Sequence, residues 1–296
     1  MLPIFRSTMS KSVPKSIRSA ACLIIGDEVL NGKILDTNSH EFAKVCFNRL
    51  SIPLRKTIVC GDDTEDIIRS IKVLRQEGYD LLVTSGGIGP THDDITYEAI
   101  ATAYDLKCEI DSSVKDRMQQ LRNDYISTLS AQQADAFYRM ATIPQATEKI
   151  SVEKIYCDDS LWVPIVGIDE QVYILPGVPQ LFKKLLDYLA DHIKGRLESN
   201  IQHRFFIRTD TKESELAPFL SQLQGRCNSE FGINAVKLGS YPHFNWNMNT
   251  ISVIGDSNIA QDRLKLIVKE IISSIGGAAH EISQEEEDRL TTLDPN

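Results

Sequence analysis

Two periodicities alternate along the first part of the chain. Ala20–Ile25 is an unbroken apolar run, Leu54–Cys60 closes on the apolar Ile58, Val59 and Cys60, and Leu81–Thr84 is mainly apolar again. Each stops at a turn containing glycine, which is the pattern of strands. Between them the apolar positions fall three and four apart. Phe42, Val45, Cys46 and Leu50 make one such stripe, entered from Asp36 or Thr37, both good N-caps. Ile67, Ile68, Ile71 and Leu74 make another, which Thr64 can cap and Gly78 can close, and a third helix opens near Thr96. This alternation predicts an α/β fold, a doubly wound and mostly parallel sheet with helices on both sides.

Beyond Ala101 the periods are less regular. Asp111 to Arg139 reads as helix with Val114, Met118, Leu121 and Tyr125 as its stripe, and Met140 to Pro144 as a short extended piece leading into a polar connection. Leu161–Val166 and Val172–Leu175 read as two strands around a turn at Gly167 to Glu170, an antiparallel addition to the sheet. Pro179 suits the first position of a helix carrying Leu181, Phe182, Leu185, Leu186 and Leu189. After about Gly195, strands at Phe205–Arg208, Val236–Tyr241 and Ile251–Gly255 and helices at Glu213–Leu223 and Ile259–Ile275 predict a smaller C-terminal α+β lobe. The expected division is a disordered basic head at 1–19, the α/β domain at 20–197, the lobe at 198–280 and an acidic, solvated tail at 281–296, where Glu285, Glu286, Glu287 and Asp288 cluster.

Composition narrows the partners. A hydrophobic content of 42% and a charged content of 25% are those of a soluble globular protein, and a net charge of −9 argues against nucleic acid or an acidic membrane surface. No apolar run approaches the length of a membrane span. Six cysteines without a C-x-x-C pair argue against a zinc site and a disulfide framework, and suit a reducing compartment. Arg6, Lys11, Lys15 and Arg18, with several serines and no acid, give the head a mitochondrial-presequence composition, but Pro3 and Pro14 interrupt any amphipathic helix. The cytoplasm is the expected location, with the mitochondrion as the alternative.

In a parallel sheet the loops after the strands emerge at one edge, and ligands bind there. Four loops qualify: Gly26 to Glu28, Gly61 to Asp63, Ser85 to Asp94, and Pro176 to Pro179. The third is the richest. Gly86, Gly87 and Gly89 let backbone N–H groups point inward as a phosphate cradle, and the helix near Thr96 adds its positive end. Asp93 and Asp94 would repel a phosphate by on the order of several kcal/mol unless a divalent cation lies between, so the loop reads as metal and phosphate together. A glycine-rich turn with Asp94 capping the helix is the alternative. Asp62 and Asp63 read equally as helix caps or ligand contacts, whereas Asp27, a carboxylate directly after a buried strand, calls for a partner. Two nucleotide motifs fail on spacing: His92 stands where a dinucleotide fingerprint has its third glycine, and no Gly-Lys-Ser/Thr follows. His92 is as readily a solvated loop residue as a catalytic one. With no G-x-S-x-G elbow, no H-E-x-x-H and no Cys or Ser in a catalytic motif, metal-activated water is the economical nucleophile.

Four segments carry a family resemblance. GDEVLNGKILDTN (Gly26 to Asn38), TSGGIGPTHDDITYEAIA (Thr84 to Ala101), LPGVP (Leu175 to Pro179) and GSYP (Gly239 to Pro242) resemble, in that order, the molybdopterin-binding domain family shared by molybdenum-cofactor proteins, the competence-damage protein CinA and eukaryotic FAD synthetase. The last two are similar to the CinA and FAD-synthetase branch. The sequence contains neither the amidase domain of CinA nor the FAD-forming domain of FAD synthetase, and stand-alone members are similar to fungal FAD pyrophosphatases. The resemblance therefore implies hydrolysis of FAD to FMN and AMP with a divalent cation, Mg²⁺ or Co²⁺, and potassium. It implies Asp27, Asp93 and Asp94 as metal ligands, Asp27 and Asp94 also being catalytic. Gly86, Gly87, Gly89 and Thr91 would cradle the pyrophosphate with Ser85 donating to it, and Asn38, Pro176 and Gly177 would line the rest of the pocket. An ADP-ribose hydrolase, a molybdopterin adenylyltransferase and a non-catalytic flavin- or pterin-binding regulator are the alternatives. A homo-oligomer, dimer or trimer, is expected, with the Val114 to Tyr125 helix as a candidate interface.

Overall fold

The apolar runs fold as β1 (Ala20–Ile25), β2 (Leu54–Cys60) and β3 (Leu81–Ser85) in a computed structural model that describes residues 15–198, 202–256, 258–275 and 278–293. β1 and β3 are buried along their whole length, as strands covered on both faces are, whereas β2 alternates and takes the edge. After β1, Asp27–Leu30 makes one helical turn, α1, before α2 (Asn38–Val45), which runs on as a π-turn over Cys46–Leu50. Asp36 starts α2: its Oδ1 accepts the backbone N–H groups of Asn38 and Ser39 at 3.0 Å each, while Thr37 makes no side-chain cap. Asp63, one residue before Thr64, caps α3 (Thr64–Gln76) by accepting from the Asp66 N–H at 2.9 Å. Ile67, Ile68, Ile71 and Leu74 are buried under it. α4 (Thr96–Ala103) follows β3.

The middle of the chain departs from its sequence pattern. β4 (Cys108–Ile110) leads into two helices, α5 (Ser112–Ile126) and α6 (Ala131–Arg139), where one was expected. α5 leaves helical geometry at Arg122, so the expected stripe is cut: Val114 and Met118 are buried, Leu121 is half-buried, Tyr125 is exposed, and Ile126 is buried in its place. Ser130 opens α6 through a reciprocal capping box with Gln133. β5 (Thr142–Pro144) pairs with β4, and the polar connection contains a strand, β6 (Val152–Ile155). β7 (Ile165–Ile168) starts later than Leu161 and joins β8 (Val172–Leu175) through Asp169 and Glu170, both at φ 55°.

The sheet order is β2-β1-β3-β8-β7-β6. β8 is parallel to β3, so only β7 and β6 are antiparallel, a correction to the expected two-strand addition. The reason is the connection: a tight turn forces β7 antiparallel to β8, whereas the long path from β3 lets β8 return in parallel. α7 (Pro179–His192) carries Pro179 at its start and buries Phe182, Leu185, Leu186 and Leu189. α2 packs with α7 and α3 with α4. Ile24 lies opposite Ser85, and Ser85 opposite Leu175, so β1, β3 and β8 end level at the point where strand order reverses.

The chain divides into compact units at 1–198 and 199–296. Residues 1–14 lie outside the described residues, but the rest of the expected basic head is built in: Ile17 is fully buried and bridges Leu197. In the second unit β9 (His203–Thr209), α8 (Glu213–Phe231), β10 (Val236–His243), β11 (Met248–Gly255), α9 (Gln261–Ile275) and β12 (His280–Ile282) form an antiparallel sheet of order β10-β11-β9-β12 under two helices. The expected acidic tail is part of this unit. β12 pairs with β9, and α10 (Gln284–Leu293) places Glu285, Glu286 and Glu287 in its first turn, where the helix dipole favours acids, and buries Leu290.

Asp111 at the start of α5 makes stability depend on pH. It caps the Val114 N–H and pairs with Lys154 at 2.7 Å. Burial pushes its carboxyl up, but the hydrogen bonds from Lys154, Ser113 and Val114 outweigh that and hold it at about 2. The folded value lies below the unfolded one, so this stabilisation is present above about pH 4 and is lost as pH falls through about 2. Asp111→Asn is expected to cost about 1–2 kcal/mol at pH 7 in urea unfolding, with the gap to wild type closing in acid. A gap that persists unchanged at pH 2 would remove the carboxylate from this account.

Candidate functional site

The loop leaving β3 turns on Gly86 and Gly87 at φ 109° and 65°. It is tied on both sides: the Gly86 N–H donates to the Leu175 carbonyl at 3.2 Å, the Thr96 hydroxyl donates to the Gly86 carbonyl at 2.9 Å, and the Thr96 N–H donates to the Gly87 carbonyl at 3.0 Å. The N–H groups of Gly87 and Ile88 donate to no partner among the described residues, and both residues line a cavity of about 690 Å³ over the ends of β1, β3 and β8. Successive free amides at a strand end form a concavity for anions. The volume is that of a small-molecule site.

Asn38, the first residue of α2, ties the floor of this cavity together. Its amide donates to Ser85 Oγ and to the Gly177 carbonyl, each at 2.8 Å, which fixes the amide orientation because a flip would set oxygen against oxygen. Its Oδ1 is buried without a partner among the described residues, an acceptor that a ligand donor or a water can fill. Ser85 in turn leans on the Pro176 carbonyl at 3.4 Å.

Asp94 closes the glycine loop. Oδ1 accepts the Gly89 N–H at 2.6 Å, and Oδ2 accepts the Thr91 N–H at 2.9 Å and the Thr91 hydroxyl at 2.5 Å. Three bonds leave about one of a carboxylate's four lone pairs for a ligand. The loop is also clamped from α6: Arg139 donates to the Thr91 carbonyl at 2.9 Å and to the Asp94 carbonyl at 3.3 Å. Nothing in the sequence marks Arg139, because the loop it holds lies 45 residues away and offers only backbone carbonyls.

The structure brings Asn38, Ser85, Gly86, Gly87, Gly89, Asp94, Pro176 and Gly177 together around the cavity. Asp27, Asp93 and Thr91 lie outside its lining. Asp27 is turned toward the neighbouring loop, where its N–H donates to Asp62 at 3.0 Å and its Oδ1 accepts the Asp62 N–H at 3.3 Å. Asp93 is exposed. Among the described residues no three His, Cys, Asp or Glu side chains converge as a metal cage, so the expected triad of Asp27, Asp93 and Asp94 is not assembled. The reason is local: α1 begins at Asp27 and swings Glu28, the last residue of the first strand-end loop, into the cavity wall, while Asp94 is held by its own loop.

The donor chemistry still suits a hydrated divalent cation, which needs only one or two carboxylates and takes the remaining oxygens from water and phosphate. Glu28, Asp36 and Asp94 line the cavity. Negative charge also accumulates beside it: burial pushes the Asp62 carboxyl up, and the charges of Glu28, Asp27 and Asp93 add to that rise. The cysteines offer no nucleophile. All six are free, none lines the cavity, and burial pushes the Cys60 and Cys108 thiols up to about 12.

With this geometry, comparison with known proteins is direct. Residues 21–195 match the family described as "Probable molybdopterin binding domain", and the chain belongs to that family. A protein named "Probable FAD synthase" from Caenorhabditis briggsae is 28% identical over 92% of this chain and 53% of its own length. Its namesake from Caenorhabditis elegans is 31% identical over 76% of this chain and 44% of its own length, so the chain spans about half the length of these relatives. The crystal structure of CinA from Thermoplasma acidophilum, a protein of unknown function, superposes with a TM-score of 0.50 at 27% identity, covering 60% of this chain and 98% of that one. No helix among the described residues is long and apolar enough to cross a membrane.

Proposed function

We propose that the cavity at the ends of β1, β3 and β8 binds a dinucleotide through its pyrophosphate and hydrolyses that linkage, with FAD giving FMN and AMP. The observation that carries this reading is the pair of Gly87 and Ile88 amides, without a partner among the described residues, at the end of a fully buried strand and lining a cavity large enough for more than a phosphate ion. The FAD-related names of the nematode relatives support the choice of substrate.

Gly87 and Ile88 would hold phosphoryl oxygens, and Asn38 would keep Ser85 and Gly177 at the spacing the linkage needs. Asp94 would hold the glycine loop closed and, with Glu28, offer carboxylate oxygens to a cation such as Mg²⁺ or Co²⁺, with Asp27 and Asp93 adding charge from outside the wall. When bound, such a cation neutralises the pyrophosphate and lowers the pKa of a nearby water. The test is product analysis on the purified protein with FAD, ADP-ribose and NADH, each with Mg²⁺ or Co²⁺ and each with EDTA. FMN and AMP are expected from FAD with metal, and none with EDTA. Turnover that survives EDTA would overturn the metal requirement, and no product from any substrate under any metal would overturn the enzyme reading and leave a binding protein.

A further inference from the structure

Charge is distributed unevenly around the cavity. Its lining includes three carboxylates, Glu28, Asp36 and Asp94, and a single basic residue among the described ones, Arg122. Arg122 is also the residue at which α5 leaves helical geometry. Its side chain makes no hydrogen bond and no ion pair with the described residues, and its guanidinium lies 5.4 Å from the centroid of the Tyr125 ring. An arginine with no carboxylate partner in a chain of net charge −9 keeps its whole donor fork available.

The wall that carries Arg122 is held in place from the same helix. Arg117 donates to the carbonyls of Leu161 and Asp158, each at 2.7 Å, and so pins the segment before β7 against α5. The Phe137 ring packs on Trp162 at 5.8 Å and on Tyr125 at 5.6 Å, which joins α6 to the same wall. Trp162 and Met140 line the same cavity as Arg122. A guanidinium next to an aromatic and apolar wall suits a ligand that carries a phosphate and a planar ring together.

We propose that Arg122 is a ligand-binding residue that pairs with phosphoryl oxygens of a pyrophosphate-linked nucleotide, on the wall of the cavity that also includes Met140 and the Trp162 segment. This rests on the dinucleotide reading above and deepens it. The glycine-loop amides form neutral hydrogen bonds, so among the lining side chains the positive charge comes from Arg122. It also explains how a ligand with two negative charges is held by a cavity whose other charged lining residues are acids. A solvated helix residue at the same place would leave binding unchanged.

The test uses the full chain as wild type, Arg122→Gln and Arg122→Lys. Calorimetry follows two probes: α,β-methylene-ADP, which keeps a pyrophosphate-like group but cannot be cleaved at that bridge, and riboflavin, which has the ring and no phosphate. Arg122→Gln is expected to weaken α,β-methylene-ADP by about tenfold to a hundredfold, to flatten its salt dependence, and to leave riboflavin unchanged. Arg122→Lys is expected to recover part of the loss, and melting temperatures should stay close, because the side chain is exposed and its contact with the Tyr125 ring is long. Equal binding of α,β-methylene-ADP by wild type and Arg122→Gln overturns the inference and leaves the dinucleotide reading standing. Parallel loss of riboflavin overturns it as well, since that is the mark of a distorted wall. If wild type binds neither probe and does not turn over FAD, the dinucleotide reading fails and takes this inference with it.

Discussion

Replacing Asp94 by alanine is expected to cut dinucleotide turnover by roughly a hundredfold or more while leaving the protein folded. The carboxylate accepts three hydrogen bonds from its own loop, from the N–H groups of Gly89 and Thr91 and from the Thr91 hydroxyl. Removing it frees those donors, opens the segment that carries Gly87 and Ile88, and takes away a cavity carboxylate. Hydrogen bonds to a charged group contribute about 1.5–3 kcal/mol each when sealed from water, but Asp94 is only half-buried and its loop faces solvent, so the global cost should be smaller, about 1–2 kcal/mol. Thermal unfolding is expected to shift by only a few degrees, about 2–4 °C per kcal/mol for a unit of this size. Turnover retained in Asp94→Ala would end the assignment of this loop as the active centre. A collapse of the melting temperature would show that Asp94 serves the fold more than the chemistry.

Gly86→Ala is expected to have the opposite signature, a loss of fold on the order of 4 kcal/mol and about 10 °C in melting temperature. Gly86 sits at φ 109°, a conformation that side chains with a Cβ rarely adopt, and an added Cβ would lie 2.0 Å from the Ile25 carbonyl oxygen. That oxygen is backbone at the end of the fully buried β1, so it cannot swing aside as a flexible side chain could. Gly32 provides the internal control. It also has positive φ, 74°, but an added Cβ there would meet nothing within 4 Å, so Gly32→Ala should cost only about 1 kcal/mol. Calorimetric scans of the two variants separate dihedral strain from steric contact. Equal small losses would mean that β1 and the glycine loop do not meet as closely as this packing requires.

These two residues also mark what pattern reading can reach. Gly86 and Asp94 stand in a strand-turn-helix segment whose composition announces its backbone: a buried apolar run, glycines where the chain must turn sharply, then a helix. β1 and α3 are legible for the same reason, since an unbroken apolar run and a sustained helical stripe outweigh local preferences. The three-residue strands β4 and β5 are not, because a strand that short exists only through its partner. The break of α5 at Arg122 is hidden too, because nothing in the flanking residues is glycine or proline.

The sequence by itself determined the doubly wound core and the strand-end loops, because hydrophobic period and glycine spacing are local properties that survive in any packing, and its four motif segments carried the resemblance to the family. Only the tertiary structure decided which acids face the cavity. Glu28 turned in while Asp27 turned toward Asp62, and one residue of helical rotation separates the two outcomes. Only the tertiary structure, likewise, brought Arg139 onto the glycine loop and Arg122 to the cavity wall. Their targets are backbone carbonyls and open space, which leave no mark along the chain, so their roles follow from where the helices come to rest.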